Sequence, residues 1–97
     1  MYAVIRHYQD EASDVVEQAR KREGSIKELM RGIEGFVAYY LVDTQGGGLA
    51  SVSVFQDREG AEESTRAAGN WIRENMAEWV PNPPTVIQGE VAFDASR

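Results

Sequence analysis

The chain has 97 residues, with 10 lysines and arginines against 16 aspartates and glutamates, a net charge of −6 and no cysteine. These totals fit one domain over 1–97 and exclude disulfides, thiolate nucleophiles and cysteine-based metal sites. The acidic balance argues against nucleic acid as a partner, and no apolar run approaches the roughly 20 residues of a membrane helix, so the expected setting is cytoplasmic with no membrane partner.

Tyr2-Ala3-Val4-Ile5-Arg6-His7-Tyr8 reads as a first strand with apolar residues on both faces, where a strand with one wet face would alternate cleanly. A helix follows, with Asp10 or Ser13 as its N-cap and an apolar stripe of Ala12, Val15, Val16, Ala19, Ile26, Leu29, Met30 and Ile33. Gly24 weakens its middle, but the stripe stays in phase and the Glu17–Lys21 and Glu23–Lys27 pairs support it, so one continuous helix is predicted. Gly32 and Gly35 bracket its end, where a positive φ is commonly needed.

Two runs rich in β-branched and aromatic residues then flank the Gly46-Gly47-Gly48 triplet, the pattern of an antiparallel hairpin. Simple alternation puts Phe36, Ala38, Tyr40 and Val42 on one face and Val37, Tyr39 and Leu41 on the other. In the return strand Ala50, Val52 and Val54 oppose Leu49, Ser51, Ser53 and Phe55. Asp57 is the expected cap of a second helix, small-sided over Ala61, Ser64, Thr65 and Ala68 and bulky over Trp71, Ile72, Met76 and Trp79. It must stop near Val80, because Pro81, Pro83 and Pro84 cannot continue it. A last strand is predicted from Thr85 to Phe93, with Ile87, Val91 and Phe93 on the face of Gly89, and then a loose tail.

The order is βαββαβ, an α+β ferredoxin-like fold with a four-stranded antiparallel sheet. Two helices cover only one side of such a sheet. The apolar residues on its other side need a partner, and a second copy of the chain meets that need, so a homodimer is expected.

Candidate site residues are few. His7 is the one histidine, and an imidazole could carry a proton; the plainer reading is a hydrogen-bonded structural residue. With no second histidine and no cysteine, no transition-metal site is expected. Trp71, Asn75 and Trp79 lie at i,i+4 spacings on one helical face, where an indole could stack on a flat ligand and the amide could orient it; equally, both indoles could be core. Tyr39 and Tyr40 point to opposite faces, so only one can line a pocket, and Tyr39 and Ser64 join Trp71 and Asn75 as candidate ligand-binding residues. Arg6 faces away from His7, and Ser51 and Ser53 lack a visible base, which makes small size the simpler reason for them.

With this length, element order and two-faced sheet, and with Gly35-Phe36 opening the second strand after a Gly-containing helix exit, the whole chain resembles the dimeric α/β-barrel proteins, in particular the antibiotic biosynthesis monooxygenase-like family. The resemblance implies a dimer built around two sheets, with any active pocket between sheet and helices of each subunit. It implies cofactor-independent oxygenation of a small aromatic substrate, with no protein-held cofactor, His7 as base, Trp71 as stacking wall and Asn75 or Tyr39 as orienting group. The haem-degrading relatives place an asparagine on the first strand and a histidine later; Arg6-His7 and the absence of a later histidine depart from that pattern. The alternative from a different class is a non-catalytic dimer that holds a small apolar ligand or serves as a scaffold.

Overall fold

Strand β1 (Tyr2–Tyr8) is the centre of the sheet, flanked by β3 (Leu49–Phe55) and β4 (Thr85–Glu90), with β2 (Phe36–Asp43) outside β3. All neighbours are antiparallel, in the order β2-β3-β1-β4. Helices α1 (Val15–Lys21) and α2 (Glu23–Arg31) connect β1 to β2, and α3 (Arg58–Asn75) connects β3 to β4. The computed structural model describes residues 1–9, 13–46 and 48–96. This is the expected ferredoxin-like α+β arrangement, with the first helix in two pieces.

That division corrects the expectation of one continuous helix. The helix breaks at Arg22 (φ −112°, ψ 17°), two residues before the suspected Gly24, which sits inside α2. The break goes with a second task for Arg22: its guanidinium donates to the Gln18 carbonyl at 3.0 Å and lies 4.8 Å from the Trp79 ring centre. A cation over an indole is an attractive arrangement, and it ties the helix pair to the end of α3. Of the expected N-caps, Asp10 lies outside the described residues, and Asp14, rather than Ser13, occupies the cap position of α1; its carboxylate accepts from the Gln18 side-chain amide at 3.2 Å and caps no backbone N–H. At the exit Gly32 keeps a helical φ of −77°, and the positive φ falls on Gly35 alone, at 83°.

The hairpin has an irregularity that alternation could not foresee. A bulge between Phe36 and Ala38 inserts one residue, so Phe36 and Tyr39 both pack on the helix side although their numbers differ by three. Phe36 meets Phe55 edge-to-face with ring centres 5.9 Å apart. Beyond the bulge alternation resumes, with Tyr39 and Leu41 inward and Tyr40 and Val42 exposed. In β3 the inward set is Leu49, Ser51, Ser53 and Phe55, all buried.

Asp57 caps α3 as expected, its carboxylate accepting the Gly60 N–H at 3.1 Å. Gly60 is required by proximity: a Cβ there would lie 2.9 Å from the Glu34 carbonyl oxygen and 3.0 Å from Phe55. The helix ends at Asn75, earlier than the prolines demand, and a turn closed by the Trp79 and Val80 N–H groups on the Met76 carbonyl carries the chain to Pro81. The last strand is also shorter than expected. It ends at Glu90; Val91 N–H still reaches the Met1 carbonyl, but Phe93 is 89% exposed and outside the sheet.

Two apolar clusters sit between sheet and helices. One joins Tyr8, Val15, Ala19, Leu49, Met76 and Val80; the other joins Val4, Met30, Phe55, Ala61 and Ala68. The gap between them holds the polar group described next.

Candidate functional site

Alternation along β1 buries Val4, Arg6 and Tyr8 under the helices and turns Ala3, Ile5 and His7 to the open side. Arg6 is 1% exposed. The antiparallel register sets it opposite Ser51 and sets Val4 opposite Ser53, so both β3 serines flank its side chain. The small-sided half of α3 supplies two more hydroxyls from above.

The guanidinium uses this setting fully. Its Nε donates to Ser51 Oγ at 3.2 Å, Nη2 to Ser53 Oγ at 2.6 Å, and Nη1 to Ser64 Oγ at 3.0 Å and Thr65 Oγ1 at 3.1 Å. Ser64 in turn donates to the Ala61 carbonyl at 2.6 Å, which fixes its hydroxyl proton away from the arginine. The three ion pairs of the described residues all lie on helix surfaces and none includes Arg6. A buried cation is thus solvated by neutral oxygen dipoles, an arrangement that satisfies its N–H groups and leaves its charge uncompensated. Burial pulls the Arg6 pKa below the usual arginine range, opposed by Tyr8 and Tyr39 nearby. Burial likewise pushes the Tyr39 phenol up, with Arg6 and the Ser51 hydroxyl working the other way.

Beside Arg6 lies an apolar cavity of about 50 Å³, walled by Leu29, Met30, Leu41, Trp71, Ile72 and Met76, with Tyr8, Tyr39 and Ser51 as its further polar groups. A groove of about 500 Å³ between α1–α2 and β2 adjoins it, and Ala19, Ile26, Met30, Tyr39 and Leu41 line both. The groove is of ligand size; the inner cavity is well below the roughly 150 Å³ that admits a benzene ring. Of the two, only the groove has room for a flat ligand, and Arg6 lines the inner cavity but not the groove.

The expected site residues divide. Tyr39 and Trp71 line the inner cavity, and Ser64 bonds to Arg6. Trp71 is held by its indole N–H on Ser25 Oγ of α2 at 3.0 Å, a contact that fixes one wall. Asn75 is exposed, and its amide donates to the Trp71 carbonyl of its own helix at 2.9 Å, away from the cavity. His7 lies on the open face between Ala50 and Thr85, near the Gln9 amide, so the sheet separates it from the cavity and from Arg6. Sequence reasoning thus passed over Arg6, and the available signal was the pair Ser51 and Ser53 on the same face as Phe55. Serines at two core-facing positions of one strand imply a polar group among them. Among the described residues no three His, Cys, Asp or Glu side chains come together as a metal site would require. No helix there is long and apolar enough to cross a membrane.

Neither a protein-family model nor a curated protein matches the chain in sequence. Solved structures match it in shape. A protein of unknown function from Nitrosomonas europaea, NE2512, aligns over 99% of this chain and 93% of its own with a TM-score of 0.74 at 18% identity. A monooxygenase from the gene ActVA-Orf6 of Streptomyces coelicolor, solved with the ligand nanaomycin D, aligns over 98% and 92% with a TM-score of 0.67 at 14% identity. SnoaB, a cofactor-independent oxygenase from Streptomyces nogalater solved in a mutant form, aligns over 97% and 94% with a TM-score of 0.60 at 11% identity. At these identities the likeness establishes a common fold, the ferredoxin-like α+β fold of antibiotic biosynthesis monooxygenase-like proteins.

Proposed function

We propose that the chain is a homodimer that binds a small flat substrate in the groove between helices and sheet and oxygenates it without a cofactor of its own. The observation that carries this reading is Arg6: a fixed, buried positive charge at the inner end of an apolar site. Two of the structures that share the fold, the Streptomyces coelicolor monooxygenase and SnoaB, are oxygenases by name, which supports the reaction class.

The chemistry follows from what the chain offers and what it lacks. His7 is on the far face and burial holds the Tyr39 phenol in its protonated form, so neither of these two serves as general base. An electron-rich aromatic whose acidic CH₂ is conjugated through the ring to a carbonyl needs less help. Its proton passes to water once the enolate oxygen faces the Arg6 charge, because a nearby cation stabilises the anionic form. The enolate carbon then gives electrons to dioxygen and forms the new C–O bond. Cleavage of the O–O bond with loss of the second hydrogen converts CH₂ to C=O, and the other oxygen leaves as water. One substrate and one dioxygen thus give one ketone and one water. The protein binds, orients and excludes bulk water.

Anthrone tests this directly, through dioxygen uptake and anthraquinone formation. Arg6→Gln should slow turnover by about 10-fold or more, with Arg6→Lys intermediate, as for loss of one electrostatic group; thermal melting checks that each variant folds. The placement of His7 across the sheet from the cavity favours the second reading, a non-catalytic binder. Anthrone that quenches tryptophan emission but consumes no dioxygen would establish that reading, and anthrone that does neither would remove both. The cysteine-free, acidic chain supports a cytoplasmic setting.

A further inference from the structure

A second space lies on the far side of Arg6. It has about 240 Å³ and is bounded by α3 and the segment 80–84, and it shares Arg6, Tyr8, Ile72 and Val80 with the inner apolar cavity. Its polar groups are Arg6, Tyr8, Thr65, Arg73 and Asn82, and none of its described lining residues is a carboxylate. In a chain with 16 acidic and 10 basic residues, a hollow with two arginines and no acid runs against the composition. The contrast holds within one helix. The hollow at the other end of α3 is lined by five carboxylates, Glu34, Asp57, Glu59, Glu62 and Glu63, and a single arginine.

An arginine in the last turn of a helix needs little explanation, since the helix dipole favours it there. That accounts for Arg73 alone. It does not account for Arg6, buried on the neighbouring strand with no ion-pair partner among the described residues, or for the absence of an acid between the two. Arg73 also sits well for a ligand. Its guanidinium lies beside Gly69, where a Cβ would come within 3.6 Å of Nη1, and it bonds to Asn70 on the helix surface, a contact an incoming anion can replace. Pro81, Pro83 and Pro84 form the opposite wall, and their fixed φ angles hold it in shape without ligand. The space is smaller than a whole-ligand pocket and suits a substituent.

We propose that this second space is an oxyanion subsite: the ligand of this protein carries a carboxylate or phosphate group, which bonds to Arg73 and Asn82 within the field of the buried Arg6 charge. The inference rests on the reading above that an apolar ligand enters beside Arg6, and it names the substrate class as aromatic acids.

Isothermal titration with 1-naphthoate, 1-naphthyl phosphate and neutral 1-naphthamide tests it on the wild type and on Arg73→Gln, an exposed position whose substitution spares the fold. At least one of the two acids should bind about 10-fold tighter than the amide, and Arg73→Gln should remove most of that ratio while leaving the amide unchanged, as for loss of one charge-assisted contact. The tighter acid identifies the group. Acid and amide binding alike, or a preference that survives Arg73→Gln, overturns the subsite and leaves the apolar groove standing. Acids that bind through Arg73 while the amide does not would uphold the subsite and overturn the groove as the place of an aromatic body. Silence from all three probes overturns both.

Discussion

The two faces of the sheet are made from the same strands and have opposite fates. On the covered face Val4 and Phe55 are fully buried, and Arg6, the one buried charged group among the described residues, is enclosed by four hydroxyls. On the open face Ile5, Tyr40, Val42 and Ile87 stand 39%, 62%, 45% and 65% exposed. A monomer seldom leaves a large apolar surface to water, whereas a second sheet can cover it. The comparison teaches that apolar content does not distinguish the faces here; polarity does, and the polar centre lies where the helices are. Chemistry is thus expected on the covered face and association on the open one.

Adjacent residues of β1 test this most sharply. Val4→Asp places a carboxylate in the core and should cost more than about 4 kcal/mol, enough to abolish folding, as circular dichroism would report. Ile5→Asp, one residue on, should leave the chain folded and turn the dimer proposed above into a monomer by light scattering. A wild-type monomer at micromolar concentration would break the comparison, and so would an unfolded Ile5→Asp.

The next pair separates the two polar neighbours. Arg6→Ala leaves a void and several unpaired buried hydroxyls, for an expected loss of about 3–5 kcal/mol in urea unfolding. His7→Ala, on the open face, should change monomer stability by less than about 1 kcal/mol. Similar losses for the two would mean that His7 has a structural partner beyond Gln9.

The pH dependence of the covered face is smaller. Burial raises the Tyr39 pKa above its ordinary 10.0, so the folded state holds that proton more tightly than the unfolded chain does. Its stabilising contribution is complete below pH 10 and is lost as pH rises through the folded value. Melting temperatures should therefore fall above pH 10, and Tyr39→Phe should lessen that fall. An unchanged slope in the variant would place the loss elsewhere. Smallest is Gly24→Ala, on neither face. A Cβ there meets nothing within 4 Å, and its φ is not positive, so α2 should gain a few tenths to about 1 kcal/mol.

The sequence by itself determined the order of elements, the Asp57 cap, the hairpin and the two-sided character of the strands. These rest on short-range rules: a period of 2 or 3.6, a capping carboxylate, glycine and proline punctuation. It also determined that Arg6 and His7 point apart. Alternation, though, gives only relative direction, and which of the two lies inside depends on which side of the sheet the connecting helices pack. That is a tertiary fact, and it put Arg6 rather than His7 beside the cavity. The bulge at Val37 and the helix break at Arg22 were decided in the same way. Each depends on a contact between residues distant in the chain or on the local fit of one element over another, such as Arg22 against Trp79 and Phe36 against Phe55. No window of neighbouring residues contains both members of such a pair.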